Sequence, residues 1–232
     1  MKSEELIRLI SESKKKSPIK VFLQCKRNIE FVNCKSFGNE MKILIGDYES
    51  IMPQIRQVEN EIDEIFIEQS AQHSALELSD LSKFNARIEP GAIIRTEVKI
   101  ADHAIIMMGA VINIGAEIGE NTMIDMNAVI GARAIIKRDC HIGAGAVIAG
   151  VIEPPSAQST IIEESVLVGA NAVVLEGIHV GKNSVIAAGS VVVNDVEENT
   201  VVAGIPARFI KFKDKKTNDK TQLIESLRNL TK

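Results

Sequence analysis

The segment IEPGAIIRTEVKIADHAIIMMGAVINIGAEIGENTMIDMNAVIGARAIIKRDCHIGAGAVI, residues 88–148, carries isoleucine at every sixth position. The register is Ile88, Ile94, Ile100, Ile106, Ile112, Ile118, Ile124, Ile130, Ile136, Ile142 and Ile148. It breaks once and resumes at Ile162, Val168, Val174, Val180, Ile186 and Val192. Four positions after most of these aliphatics stands a small residue: Ala92, Ala104, Ala110, Ala116, Ala128, Ala134, Ala146, Ala172, Ser184, Ser190. Residues six apart lie on nearly opposite sides of an α-helix, and an ordinary half-buried strand alternates with period two. A six-residue period is the signature of a parallel β-helix. Each hexapeptide supplies a short strand and a corner, and three of them close a triangular coil of about eighteen residues. Coils stack at the inter-strand spacing of about 4.8 Å. The aliphatics fill the interior, and the small residues sit where the wall turns too tightly for bulk.

Composition agrees with a thin interior. Aromatic residues make up 3% of the 232, and tryptophan is absent. The net charge of −4 offers no general basic field for nucleic acid. Cys25, Cys34 and Cys140 have no CxxC spacing and leave an odd count, the pattern of reduced intracellular thiols. Met1 to Ser17 is charged and lacks the apolar core of a signal peptide. No apolar run reaches the length of a membrane span. The expectation is a cytoplasmic protein that binds neither membrane nor nucleic acid.

Outside the repeat the chain divides. Residues 1–83 read as a small α+β domain, residues 84–211 as the β-helix, and residues 212–232 as a tail with a helix. Ser3 is placed to cap a first helix, with Lys14, Lys15 and Lys16 near its negative end. Ile19 to Gln24, Ile29 to Asn33, Met41 to Ile45 and Ile62 to Glu68 read as strands. Tyr48 to Asn60 reads as a helix, and Ser74 to Leu81 as a short helix or turn. In the tail, Leu223, Ile224, Leu227 and Leu230 form one stripe. The break in the hexapeptide register falls at Glu153-Pro154-Pro155-Ser156-Ala157-Gln158-Ser159-Thr160: fourteen residues separate Ile148 from Ile162, where two repeats take twelve. Prolines cannot donate to a ladder, so this piece is expected to bulge out as a loop. Loops on rigid scaffolds are common places for ligand contacts.

The pieces "FNARIEPGAIIR" (84–95), "MMGAVINIGAEIGENTMIDMNAVIGARA" (107–134), "HIGAGAVIAGVIEPPSA" (141–157), "VGANAVVLEGIHVGKNSVIAAGSVV" (168–192) and the "AGIPARFIK" ending resemble the hexapeptide-repeat acyltransferases, and among them the tetrahydrodipicolinate N-acetyltransferases. The resemblance implies a left-handed parallel β-helix, a homotrimer, and acetyl-CoA as co-substrate. It implies transfer of the acetyl group to the amine of the dicarboxylate L-2-amino-6-oxopimelate, in diaminopimelate and lysine biosynthesis. The N-succinyltransferases of the parallel pathway share part of these patterns. A sugar-amine or serine acyltransferase of the same fold is a further reading, and a non-catalytic trimeric scaffold is a reading of another class.

Amine acylation needs a base for the ammonium proton, donors for the oxyanion and a slot for pantetheine. Asp125 directly follows the inward Ile124, near the outer wall, in the stretch that the resemblance marks as substrate-binding. His141 precedes Ile142, and a neutral imidazole takes an amine proton near pH 7. By resemblance Glu176 competes with His141 for the acid–base role, and in a trimer the two are placed to face each other across an interface. Cys140 beside His141 suggests a Cys–His nucleophile, but its register sends it into the wall. Arg87, Arg95 and Arg133 stand in the resembling motifs as forks for the substrate carboxylates, with Asn113 and Asn127 adding polar contacts. Gly150, Ala170, Ala187, Ala188 and Gly189 leave room for the pantetheine arm, and Gly204, Arg208 and Lys211 belong to the ending that meets phosphates. No metal is expected. His103, His141 and His179 are spaced thirty-eight apart, about two coils, too far along the axis to share one ion.

Overall fold

Each residue of the six-residue register falls at the second position of a two-residue strand, as in Met123–Ile124, Val129–Ile130 and Ile135–Ile136. Ile112, Ile124, Ile130, Ile142 and Ile148 are wholly buried in one continuous core, each contributing about 1.5–3 kcal/mol by leaving water. The structure, a computed structural model, describes residues 3–154 and 157–221. Its strands stack in parallel and in register: Met123 pairs with Ile105 below and His141 above. Three faces result. The first has strands opening at Arg87, Ile105, Met123, His141, Leu167, Val185 and Thr200. The second has strands at Ile93, Val111, Val129, Val147, Val173 and Val191, and the third at Lys99, Glu117, Ile135, Ile161 and His179. The first edge joins faces one and two, the second joins two and three, and the third returns to face one. The whole is a left-handed parallel β-helix.

The corners obey a rule that the isoleucines do not reveal. Three residues after every register aliphatic except Ile148 and Val192 the backbone takes a positive φ, for example at Gly109, Gly115, Asn121, Asn127, Gly145, Asn171 and Gly189. That region is cheap for glycine and tolerable for asparagine. It therefore gives Asn127 and Gly189 a backbone reason to be what they are. Arg133, at φ 62, is a bulky exception.

The break in the register is larger than its count suggests. Strand partners on the third face are eighteen residues apart at Glu117 and Ile135, but twenty-six apart at Ile135 and Ile161. One hexapeptide has therefore been lengthened by eight residues, rather than two hexapeptides by two. The extra chain leaves at the second edge.

Residues 10–76 form a separate compact unit. Its antiparallel sheet has the order β2 (Lys35–Gly38), β3 (Met41–Asp47), β1 (Pro18–Cys25), β4 (Ile62–Gln69). Alternate residues Ile19, Val21, Leu23 and Leu44 pack with Ile51 and Ile55 of helix α2, Tyr48–Gln57. Three expectations are corrected here. Ile29 to Asn33 is not a strand: Ile29 and Phe31 are buried, but the side-chain amide of Gln54 takes both backbone groups of Val32 at 2.9 Å, in place of a ladder. Helix α2 stops at Gln57, and a single 3-10 turn follows at Glu59–Glu61. Ser74 to Leu81 forms no helix; Ser74 bridges Lys16, and the turn comes later, at Leu81–Lys83.

The first helix, α1, runs Ser3–Glu12, and the Lys15 ammonium donates to the Ile10 and Ser13 carbonyls at its negative end. Residues 3–9 belong with the prism. Leu6 is wholly buried there, against Gly115. A last helix runs Lys215–Thr221; the Leu223 to Leu230 stripe lies outside the described residues. No helix among the described residues is long and apolar enough to cross a membrane.

Candidate active site

Parallel stacking puts residues about eighteen apart on top of one another, and this builds the site from two coils. Asp125 ends the Met123–Ile124 strand, and its N–H donates to the Ile142 carbonyl at 2.9 Å. His141 opens the strand above, where its N–H donates to the Val166 carbonyl at 3.0 Å. Their side chains meet outside the wall, His141 Nε2 lying 3.8 Å from Asp125 Oδ2, with 29% and 22% of each exposed. The other carboxylate oxygen accepts the Met126 N–H at 2.8 Å, which fixes the rotamer of Asp125. A carboxylate at that distance stabilises an imidazolium without a direct hydrogen bond.

The remaining candidates divide between two edges. Asp125, Asn127, Ala170, Ala187, Ala188 and Gly189 lie along the first edge, on coils at and above the Asp125–His141 pair. From Asp125 to Ala187 is three coils, about 14 Å at the stacking distance, the length scale of an extended pantetheine arm. The track is open: a Cβ added at Gly189 meets nothing within 4 Å. Its upper end is the turn after Gly204, whose N–H donates to Ser190 Oγ at 3.2 Å. Arg208 stands exposed beyond that turn, and Lys211 pairs with Asp214 at 2.7 Å. The residues present therefore fit a CoA-sized ligand along this edge.

Arg95, Asn113, Arg133, Gly150 and Glu176 lie on the second edge, across the whole second face from Asp125. The Arg95 side chain has no hydrogen-bond or ion-pair partner among the described residues. Glu176 is exposed. Asn113 Oδ1 is engaged by the Ile114 N–H at 2.8 Å. Gly150 leaves no groove: a Cβ there meets Ala132 N at 2.1 Å, so it is a packing glycine. The Arg133 guanidinium bonds Ser3 Oγ and, at 3.2 Å, the Val151 carbonyl. It ties the first turn of α1 to the root of the inserted loop. Arg87, on the first face, is paired with Glu89 at 3.2 Å. It stands three coils below His141, about 14 Å along the axis.

Cys140 is buried, its Sγ–H donating to the Glu163 carbonyl at 2.9 Å, and burial pushes its thiol up to about 12. A thiol so protonated is no nucleophile, as its register implied. His103, His141 and His179 fall on the third edge, the first face and the third face. His179 Nε2 meets Glu163 at 3.1 Å in a hollow of about 600 Å³ that Lys182 and Asp195 also line. Sequence reasoning passed over Thr122 and Thr160. Both stand in the small-residue register, and the signal that marks them is a β-branched hydroxyl residue where that register mostly carries alanine or serine.

A prism of six-residue coils, with a His–carboxylate pair beneath a track of small residues, defines a hexapeptide-repeat transferase. The bacterial transferase hexapeptide model (six repeats) matches residues 115–150, and the hexapeptide repeat of succinyl-transferase matches residues 159–193. Residues 1–81 match the tetrahydrodipicolinate succinyltransferase N-terminal model. The chain is 57% identical to the 2,3,4,5-tetrahydropyridine-2,6-dicarboxylate N-acetyltransferase of Thermotoga neapolitana, over 98% of this chain and 97% of that one. It is 60% identical to the enzyme of the same name from Thermosipho melanesiensis, over 99% and 100%. The chain belongs to the 2,3,4,5-tetrahydropyridine-2,6-dicarboxylate N-acetyltransferase family. Among solved structures it is similar to a variant of perosamine N-acetyltransferase from Caulobacter crescentus in complex with CoA and GDP-perosamine, with a TM-score of 0.50 and 26% identity over 55% of this chain and 57% of that one.

Proposed function

We propose that this enzyme transfers the acetyl group of acetyl-CoA to the amine of L-2-amino-6-oxopimelate, the open-chain form of tetrahydrodipicolinate, in diaminopimelate and lysine biosynthesis. The observation that carries the mechanism is the 3.8 Å approach of Asp125 to His141 beneath the open first edge. The Asp125 charge, facing Nε2, stabilises the imidazolium that forms when the second ring nitrogen takes the proton from the substrate ammonium. The freed amine attacks the thioester carbonyl carbon. The tetrahedral intermediate collapses, the C–S bond breaks, and the CoA sulfur leaves and regains a proton. The products are the amide, CoA and one proton, which the imidazolium returns to solvent.

The working form is a homotrimer in the cytoplasm. Its support is the second face, whose outward positions are all aliphatic: Ile93, Val111, Val129, Val147, Val173 and Val191, with Ile93 46% and Val129 37% exposed in the single chain. Such a stripe is the composition of a subunit interface. Packing it between subunits brings the second edge of one chain towards the first edge of another. Glu176 then serves a site based on a neighbour's His141, whereas Arg95, four coils below Glu176, stands about 19 Å from it along the axis.

The N-terminal match carries a succinyltransferase description, whereas the full-length relatives are N-acetyltransferases. A thiol-release assay with tetrahydrodipicolinate decides between donors. Release from acetyl-CoA, and little from succinyl-CoA, is expected. Release from succinyl-CoA alone overturns the choice of acyl group, and release from neither overturns the function.

A further inference from the structure

We propose that Thr122 is a positioning residue for His141. Along the prism the small residue that ends a corner normally closes it with its own N–H, donated to the carbonyl three residues back. Ala110 bonds Met107 at 3.2 Å, Ala128 bonds Asp125 at 3.2 Å, and Ala146 bonds Gly143 at 3.0 Å. Cys140 ends the corner that leads directly into His141, and there the equivalent bond to Lys137 is replaced. The Cys140 N–H donates to Thr122 Oγ1 at 3.1 Å, and the Thr122 hydroxyl donates to the Lys137 carbonyl at 2.7 Å. A hydroxyl from the coil below has been inserted into the turn, holding it open.

The coil below is shaped to receive this corner. A Cβ on Gly119 would lie 2.4 Å from Arg138 N and from the Lys137 carbonyl carbon. Thr122 itself is wholly buried, so its two bonds are shielded from water. A second buried threonine meets the corner of the other acid–base candidate. Thr160, also wholly buried, donates to the Ala149 carbonyl at 2.7 Å and accepts the Gly177 N–H at 3.1 Å, holding the corner that carries Glu176. Threonine thus interrupts the small-residue register at two corners, each attached to a candidate acid–base side chain.

Alanine at Thr122 leaves Lys137 O and Cys140 N–H free to bond each other, as the other corners do. The chain then folds, but the corner closes and His141 is redirected relative to Asp125. The proposal rests on His141 being the base, and the test separates the two claims. Thr122→Ala, Thr122→Ser, His141→Asn and the Thr122→Ala/His141→Asn double variant are assayed for kcat, both KM values and Tm. Thr122→Ala is expected to lower kcat about 10- to 100-fold, the scale of an ångström-level misplacement, with KM changed less than about threefold. Thr122→Ser keeps the hydroxyl and restores kcat to within about threefold. Added to His141→Asn, Thr122→Ala has no further effect, because residues acting as one unit are not additive. A folded Thr122→Ala enzyme with normal kcat overturns the role of Thr122 and leaves the base assignment standing. An equal loss in the His141→Asn background shows that Thr122 acts elsewhere, and also overturns it. Near-normal kcat in His141→Asn itself overturns both. If Thr122→Ala fails to fold, failure of Thr122→Ser to restore kcat overturns the proposal on its own.

Discussion

Two inactive variants of this enzyme are expected to restore activity when mixed. His141 stands on the first face and Glu176 on the second edge, with the second face between them. Consecutive corners are six residues apart, which at about 3.3 Å per residue spans up to about 20 Å. Proton transfer needs about 3 Å. Within one chain, therefore, neither side chain attends a substrate held by the other, and a site that uses both must draw them from two subunits. Removing either group costs about 10²- to 10⁴-fold in kcat, roughly 2.7–5.5 kcal/mol of barrier. Stability changes little, because Glu176 is exposed and His141 lies outside the core; surface changes of this kind stay within about 0.5 kcal/mol.

In trimers assembled from equal amounts of His141→Asn and Glu176→Gln, each site takes its first edge from a Glu176→Gln subunit half the time. It takes its second edge from a His141→Asn subunit half the time. About a quarter of the sites are then intact in a closed cyclic trimer. The variants carry different affinity tags, are refolded together, and the doubly tagged assemblies are purified before thiol release from acetyl-CoA is measured. Purification removes the uniform trimers, and every mixed trimer has one intact site in three, so recovery near a third of the wild-type rate is expected, against less than about one hundredth for either variant alone. Mixed assemblies no more active than the separate variants refute the shared site. So does either variant retaining kcat within about tenfold, because that group is then not needed.

Two further outcomes follow from the environments of single groups. Cys140→Ala keeps kcat within about threefold and loses about 1 kcal/mol of stability, because the buried thiol packs and stays protonated; a folded variant with a hundredfold loss, measured by the same thiol release, restores the nucleophile reading. Glu164 is held down to about 2, first by its hydrogen bond to Arg138 and then by that to Lys182. A depressed carboxylate stabilises the fold above its ordinary value of 4.5 and loses that contribution as pH falls towards 2. The Tm difference between wild type and Glu164→Gln is therefore steady above pH 4.5 and vanishes towards pH 2; a difference that grows as pH falls refutes this.

What was legible in the sequence follows from which physical constraint each residue answers. The isoleucines answer to burial, which repeats identically on every coil, so Ile124 and Ile142 disclosed the prism and sent Cys140 into its wall. The amino-terminal unit was harder, because pairing there depends on distant partners. Ile29 to Asn33 alternates like a strand and is buried like one, yet a side chain, Gln54, satisfies its backbone. The inserted loop looked like a slip of two residues because the register counts sixes. Only the pairing of Ile135 with Ile161 shows which hexapeptide was stretched.

The site residues answer to two demands at once, and this is why a period locates them without settling their roles. Gly189 and Asn127 satisfy a positive φ whether or not a ligand passes, and Gly150 satisfies a backbone contact. Arg133 is spent on Ser3 and Val151 although it stands in a motif that suggested a carboxylate clamp. What remains after each structural demand is subtracted is a short set: Asp125 on the first edge beside His141 of the first face, and Glu176 and, four coils below it, Arg95 on the second edge. These are polar side chains whose outward placement the interior of the prism does not require. Their separation across an aliphatic face supplies the physical reason for a site between subunits. On the proposed function, one chain presents half of the chemistry on each edge, and the apolar face between them gives the chains cause to associate.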